Sequence, residues 1–205
     1  MTSNSINHAS SLSIFLWNAN GLKQHSNELF YLLHHKNIDI ALITETHLST
    51  TSNISFNGYS IIRADHPDRT SHGGAAIIIK SSLFYNEMPS TNESYLQAAN
   101  IKIKINNFNV TISSAYFPPN QPISEPKIHS FFHSLGNFLI IGGDFNAKHS
   151  QWGSRYTNTR GRQFHTSILK HKLSFISPDE PTYWPSHANR SNDILDFFIT
   201  RIPNS

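Results

Sequence analysis

The sequence predicts a single α/β domain with two β-sheets and flanking helices. Three observations predict it. The chain opens strand–helix–strand, a series of short apolar and β-branched segments follows, and no repeat, low-complexity tract or linker divides its 205 residues. That length suits one domain with a sizeable core.

Residues 1–11 are polar and predict a disordered lead, with the folded domain spanning 12–205. Ser13–Trp17 is a short apolar run that predicts a buried strand, ended by the turn-forming Asn18–Gly21. Leu22, Leu29, Leu32 and Leu33 recur at helical spacing up to about Lys36, and Ile38–Thr44 predicts a second buried strand. Further strands are expected at Tyr59–Arg63, Ala75–Lys80, Tyr95–Ile105 and Asn109–Phe117. The alternation of Ile101–Ile105 predicts one wet face, and Asn106–Asn107 a hairpin turn. Residues 118–126 hold four prolines and predict a loop, and Lys127–Leu135 a short helix. Asn137–Asp144 carries a buried strand into a Gly–Gly turn. A long polar loop at 145–161, a helix at Gly161–Leu173 and a last strand at Ile194–Thr200 complete the expected order.

Composition excludes some chemistry. With no cysteine there is no disulfide and no thiolate metal site, so any metal takes oxygen or imidazole ligands. A net charge of +3 and a pI near 9.2 are compatible with an anionic partner such as DNA. No apolar run approaches the roughly 20 residues that span a bilayer, and no signal peptide is evident. The expectation is an intracellular protein without a membrane partner. None of the thirteen histidines has a metal-ligand spacing such as HExxH.

Several apolar strands end in a carboxylate, an amide or a phenol. Asn18 and Asn20 follow the first strand, and Glu45 the second. Tyr116 ends another, Asp144 and Asn146 follow the next, and Asp196 lies in the last. Taken singly, each has a structural explanation: a turn residue, an Asx cap, a packed aromatic, or for Asp196 a partner of Arg190 or Arg201. Together, at the strand ends of a rigid scaffold, they form an acidic and amide-rich set that suits a hard cation such as Mg²⁺. Metal-assisted phosphodiester cleavage is the matching reaction class. Arg155, Arg160 and Arg162, interleaved with Trp152 and Tyr156, form either a DNA-backbone grip or a solvated loop.

The ordered run WNANGL, ETHL, GGAAIII, AYFPPN, GGDFNAKHSQWGS and ILDFFIT resembles the endonuclease/exonuclease/phosphatase superfamily. It is most similar to endonuclease domains of jockey-like non-LTR retrotransposons, over roughly residues 12–203. The resemblance implies a four-layer α/β sandwich, two mixed sheets face to face with helices outside. It implies a Mg²⁺-dependent endonuclease, with Mn²⁺ as a substitute, that nicks target DNA to leave a 3′-hydroxyl and a 5′-phosphate. Its partners would be DNA and a reverse transcriptase domain in the full-length element, and its place the nucleus when it acts on chromosomal DNA.

Residue by residue, the resemblance makes Glu45 the metal ligand and Asn18 the amide that supports the metal. Tyr116 would contact the phosphate, and Asp144 would position the attacking water. Asn146 would hold the scissile phosphate and align Asp144. Asp196 would orient a catalytic histidine, while Asn20, Trp152 and Arg155 would meet the substrate. The family's terminal Ser-Asp-His occurs nowhere in the sequence, which implies a C-terminally truncated copy with its last strand missing. Two alternatives follow: an impaired or inactive remnant, or a phosphatase or phosphodiesterase of the same superfamily.

Overall fold

The computed structural model describes residues 11–185 and 191–203. Apart from Ser11, the expected polar lead lies outside these residues. The first sheet contains β1 (Ile14–Asn18), β2 (Ile40–Thr44), β3 (Tyr59–Ala64) and β4 (Ala75–Lys80), in the order β1-β2-β4-β3. The second contains β5 (Tyr85–Glu93), β6 (Leu96–Ile105), β7 (Phe108–Tyr116), β8 (Leu139–Asp144), β9 (Ser174–Ile176) and β10 (Asp196–Arg201). Its order is β5-β6-β7-β8-β10-β9. Both sheets are mixed: β1 runs parallel to β2 and β7 to β8, and the other pairs are antiparallel.

The layers follow from strand periodicity. In β2, Ile40 and Leu42 point to one side, and Ala41 and Ile43 to the other. The first pair joins Ile77 and Ile79 of β4 and Ala99, Ile101 and Ile112 of the second sheet in the central core. The second pair joins Leu29 and Leu33 of α1 (Ser26–His35), which covers the outer face of the first sheet. On the other side, Ile128, Phe131 and Phe132 of α2 (Glu125–Ser134) and Phe164 and Ile168 of α3 (Thr159–Lys170) cover the second sheet. A strand buried on both faces must be apolar throughout, which is why Ile40–Thr44 and Ala75–Ile79 carry no alternation. The chain is therefore a four-layer α/β sandwich. Among the described residues, no helix is long and apolar enough to cross a membrane.

Local chemistry sets the boundaries. Asn106 and Asn107 both have positive φ, 46° and 68°, as a tight I′ hairpin turn requires. α2 begins before the expected Lys127, because Pro126 in its first turn needs no donor there. α3 likewise begins before Gly161, at the Asn158 cap, whose side chain accepts from Gly161 N–H. β5 and β9 carry no clear sequence signal. β5 is a polar edge strand with a register break between Met88 and Thr91, and Pro89 is tolerated there because an edge strand can spare a donor.

The Gly–Gly step before Asp144 is a packing device. A Cβ on Gly142 would lie 2.7 Å from Leu42 Cδ1 of the facing sheet, and one on Gly143 would lie 1.9 Å from Ala115 O of β7. These glycines let β8 approach both neighbours closely enough to bring Asp144 to the sheet ends. Gly143→Ala should therefore cost roughly 1–3 kcal/mol of stability, read as a lower denaturation midpoint in urea. An unchanged midpoint would show that the two strands separate freely.

Candidate active site

The cleft lies where the strand ends of both sheets meet. It has a volume of about 1070 Å³, and its walls include Asn18, Asn20, Glu45, Asp144, Asn146, Arg155 and Asp196. Three of the residues that shape it have left-handed backbone: Asn20 at φ 41°, Glu45 at 49° and Asn146 at 47°. Each stands one or two residues past a strand and turns the chain sharply. For asparagine this conformation is tolerated, but for glutamate it costs about 1–2 kcal/mol. The turn at Glu45 is held by its surroundings: Gly21 N–H donates to Glu45 O at 2.8 Å, and Thr46 and His47 N–H donate to the Gly74 and Gly73 carbonyls at 3.3 and 2.9 Å.

Asn18 joins the two sheets. Its Nδ2 donates to Glu45 Oε1 at 2.9 Å and to Asp144 Oδ2 at 3.0 Å, and its Oδ1 accepts from Asn20 N–H at 3.1 Å. It is thus a clamp between carboxylates. To serve as a metal ligand its Oδ1 would have to share or give up the Asn20 bond. Asn146 N–H donates to Asp144 Oδ1 at 2.9 Å, and Asn146 Nδ2 donates to Phe117 O at 3.2 Å. The expected alignment of Asp144 by Asn146 is therefore made through the backbone. His47 Nε2 lies 3.5 Å from Glu45 Oε2.

The carboxylates crowd one another. Asp196 stands directly opposite Asp144 in the β8–β10 register. Burial, together with the charges of Asp196 and Glu45, holds the Asp144 carboxyl well above its usual range, against the opposing bonds from Asn146 and Asn18. Burial pushes Asp196 up to about 7, with Glu45 adding to the rise and Thr182 opposing it. One oxygen of Asp196, Oδ1, is buried and has no hydrogen-bond partner among the described residues. Burial, then the charges of Glu45 and Asp144, raise the Tyr116 phenol above its ordinary value, so it stays protonated as a donor. Tyr116 is buried beneath the cleft and packs against Gly73.

Among the described residues, the nearby cations are hydrogen-bonded elsewhere, although the charge of Arg160 reaches Asp144. Lys148 Nζ is paired with the buried Asp193 carboxylate at 2.9 Å and lies over the Tyr156 ring. Arg160 donates to the carbonyls of Phe117, Pro118, Pro119, Gln121 and Phe145, which fixes the proline-rich loop after β7. Crowded carboxylates, a buried oxygen without a partner among the described residues and an all-oxygen donor set suit a hard divalent cation.

Two expectations need correction. Trp152 does not meet a substrate: it is 1% exposed, stacks on Phe197 and donates from Nε1 to Ala147 O at 3.0 Å. Its indole is held in the core by Phe197 and Phe175 and by its bond to Ala147 O. Arg160 is likewise a structural tie and no free grip on DNA. Arg155 does line the cleft, with its N–H on Asp193 Oδ1 at 3.3 Å. Asp196 does not pair with Arg201, whose guanidinium bonds the carbonyls of Gly136, Asn137 and His171. The Arg190 alternative lies outside the described residues.

Some of the cleft went unread in the sequence. Thr182 Oγ1 accepts from Leu195 and Asp196 N–H at 3.0 and 3.1 Å, and so sets the entry into β10. Trp184 lines the cleft at 70% exposure. Only the turn-like Pro181 marks this segment in the sequence, and it carries no chemical signature.

Residues 110–204 match the family model described as endonuclease-reverse transcriptase. The chain is 36% identical over 189 residues to the RNA-directed DNA polymerase from mobile element jockey of Drosophila melanogaster, covering 92% of this chain and 21% of that protein. It is 33% identical to the protein of the same name from Drosophila funebris, over 92% of this chain and 20% of that one. The chain thus spans about one fifth of the length of these relatives. In structure it is similar to the endonuclease domain of TRAS1, a telomere-specific non-LTR retrotransposon, with a TM-score of 0.77, 22% identity, and 93% and 85% of the two chains covered. The AP endonuclease LMAP from Leishmania major matches with a TM-score of 0.75 and 14% identity, over 92% of this chain and 78% of that one.

The crowded carboxylates make stability depend on pH. Asp196 titrates near 7 in the fold against about 3.8 unfolded, so the native state holds the extra proton between those values. Its contribution is fully present below about pH 4 and is lost as pH rises through 7, up to about 4 kcal/mol. Without divalent cations, Asp196→Asn should raise the thermal midpoint at pH 8 and flatten its fall between pH 4 and 8. A midpoint lowered at pH 8 would contradict this electrostatic picture.

Proposed function

Because the chain belongs to the endonuclease/exonuclease/phosphatase superfamily, as a domain of the non-LTR retrotransposon type, we propose that its cleft is a divalent-cation-dependent centre that nicks DNA. The observation that carries this reading is the Asn18 bridge, which holds Glu45 and Asp144 from opposite sheets beside one another. Glu45, with the carboxylates facing it, would hold Mg²⁺, and Mn²⁺ has the same preference for oxygen. The bound ion would offset the negative charge that develops on a phosphate during cleavage.

The chain's own residues supply the remaining roles. Asp144, fixed at both oxygens by Asn18 and Asn146, takes a proton from the attacking water. Its raised affinity for protons makes it a stronger base than an exposed carboxylate. Water adds to phosphorus as the bond to the 3′ oxygen breaks; that oxygen takes a proton from solvent, leaving a 3′-hydroxyl and a 5′-phosphate. Tyr116, kept protonated, donates a hydrogen bond toward a phosphate oxygen, and Asn146 presents its remaining amide capacity to the same group. Arg155 at the rim meets the DNA backbone, and Asn20 stands beside it in the cleft wall. In a full-length element the 3′-hydroxyl would prime a reverse transcriptase domain, and chromosomal DNA would place the protein in the nucleus.

A second reading is a domain that binds DNA without cutting it. Two observations favour it: Asp196 Oδ1 has no partner, and no histidine lines the cleft among the described residues. A supercoiled-plasmid nicking assay with Mg²⁺ separates the two. Nicking by the wild type, reduced roughly 10²–10⁴-fold by Asp144→Ala, is the expected result. Binding without nicking by the wild type would support the second reading. End-labelling of the nick should report a 5′-phosphate.

Arg155→Ala should weaken DNA binding similarly for unrelated sequences, and the slope of log affinity against log salt should shrink by about 1. A loss confined to one sequence would place Arg155 against a base instead.

A further inference from the structure

We propose a second metal site, outside the cleft, formed by His66, Asp68 and His72 in the connection between β3 and β4 and suited to a zinc-class divalent ion. Sequence spacing singled out no histidine site, because these residues are brought together by the turn of the loop. One ligand atom from each lies within 4.8 Å of the other two. His66 Nδ1 is 2.9 Å from Asp68 Oδ1, and His72 Nε2 is 3.5 Å from Asp68 Oδ2. The two imidazole rings are 3.9 Å apart between centroids. None of the three lines the cleft.

The hydrogen bonds orient this set for a cation. Thr70 Oγ1–H donates to Asp68 Oδ1 at 2.9 Å, and Thr70 N–H donates to the same oxygen at 2.9 Å. With its only proton used, Thr70 Oγ1 accepts from His72 Nδ1–H at 2.7 Å. In the neutral ring this leaves His72 Nε2 with a bare lone pair facing the Asp68 carboxylate. Two acceptors aimed at one another need a positive charge between them. A hydroxyl that fixes both a carboxylate and an imidazole tautomer is the kind of outer support that metal ligands use.

The frame around the loop is fixed as well. Arg63 pairs with Asp65 at 2.7 Å and donates to Ser49 O and Ser52 O, which anchors the entry. Gly73 O accepts His47 N–H, which anchors the exit one residue after His72. Two imidazoles and one carboxylate favour Zn²⁺ or Co²⁺ over Mg²⁺, which prefers oxygen alone. Half-exposure of Asp68 and His72 leaves room for a water as the fourth ligand. An ion here would tie both ends of the loop that supports the Glu45 turn.

Calorimetric titration of ZnCl₂ into the tag-free chain, in buffer with excess Mg²⁺, tests the site. The absorption spectrum of Co²⁺ added to the same protein gives a second readout. We expect one equivalent bound, with visible Co²⁺ bands, a higher thermal midpoint on Zn²⁺ addition, and binding weakened at least about tenfold in both His72→Ala and Asp68→Asn. Circular dichroism would show that both variants fold, as their exposure predicts. Asp144→Ala should bind Zn²⁺ like the wild type. The proposal is overturned if the wild type binds no Zn²⁺, if both loop variants bind it unchanged, or if binding is lost in Asp144→Ala. Loss of nicking in the assay above leaves this site untouched, so the two proposals fail separately.

Discussion

The cleft depends on one side-chain amide. Asn18 sits at the end of an edge strand and donates both of its N–H groups, one to a carboxylate of its own sheet and one to a carboxylate of the facing sheet. Without it, Glu45 and Asp144 would be two like charges at the open end of a sandwich, and each would gain by turning toward water. With it, they are held close in a setting where burial already disfavours the ionised form of Asp144. The amide is neutral and so leaves their charge in place.

That geometry rests on close packing. Gly142 and Gly143 let β8 lie against Leu42 and Ala115, and the strained turns at Asn20, Glu45 and Asn146 aim the strand ends inward. Backbone in sparsely populated conformations persists only where its surroundings over-determine it. Here the Gly73–Gly74 carbonyls, the Arg160 guanidinium and the Asp193–Lys148 pair do so from three directions. Most of the partners of Arg160 are backbone carbonyls, while Lys148 and Asp193 stand in the cleft wall.

The two kinds of information in the sequence were unequally legible. Strands buried on both faces, such as Ile40–Thr44, announce themselves by unbroken apolar runs, and the Asn106–Asn107 turn by its residue types. The edge strands β5 and β9 do not, because they bury little and their pairing depends on distant partners. At the site, the residues that end apolar strands were readable. Residues on long loops were harder. Trp152 and Arg160 look from sequence like surface grips, since an aromatic and a cation in a polar loop give no hint of burial. The His66–Asp68–His72 group was hidden for the same reason: its spacing is irregular, and only the folded loop brings the side chains together.

The position of β10 has a consequence for how the molecule is made. It lies between β8 and β9 although it is the last strand in the chain order, and Asn18 must find Asp144 across 126 residues. During synthesis from the N-terminus, the first sheet with α1 can assemble early, while β8 waits with an open backbone edge until β10 leaves the ribosome. Contacts of such long range are slow to form. The acidic cleft is thus among the last features of this domain to form. Until then the β8 edge is open to pairing with other chains.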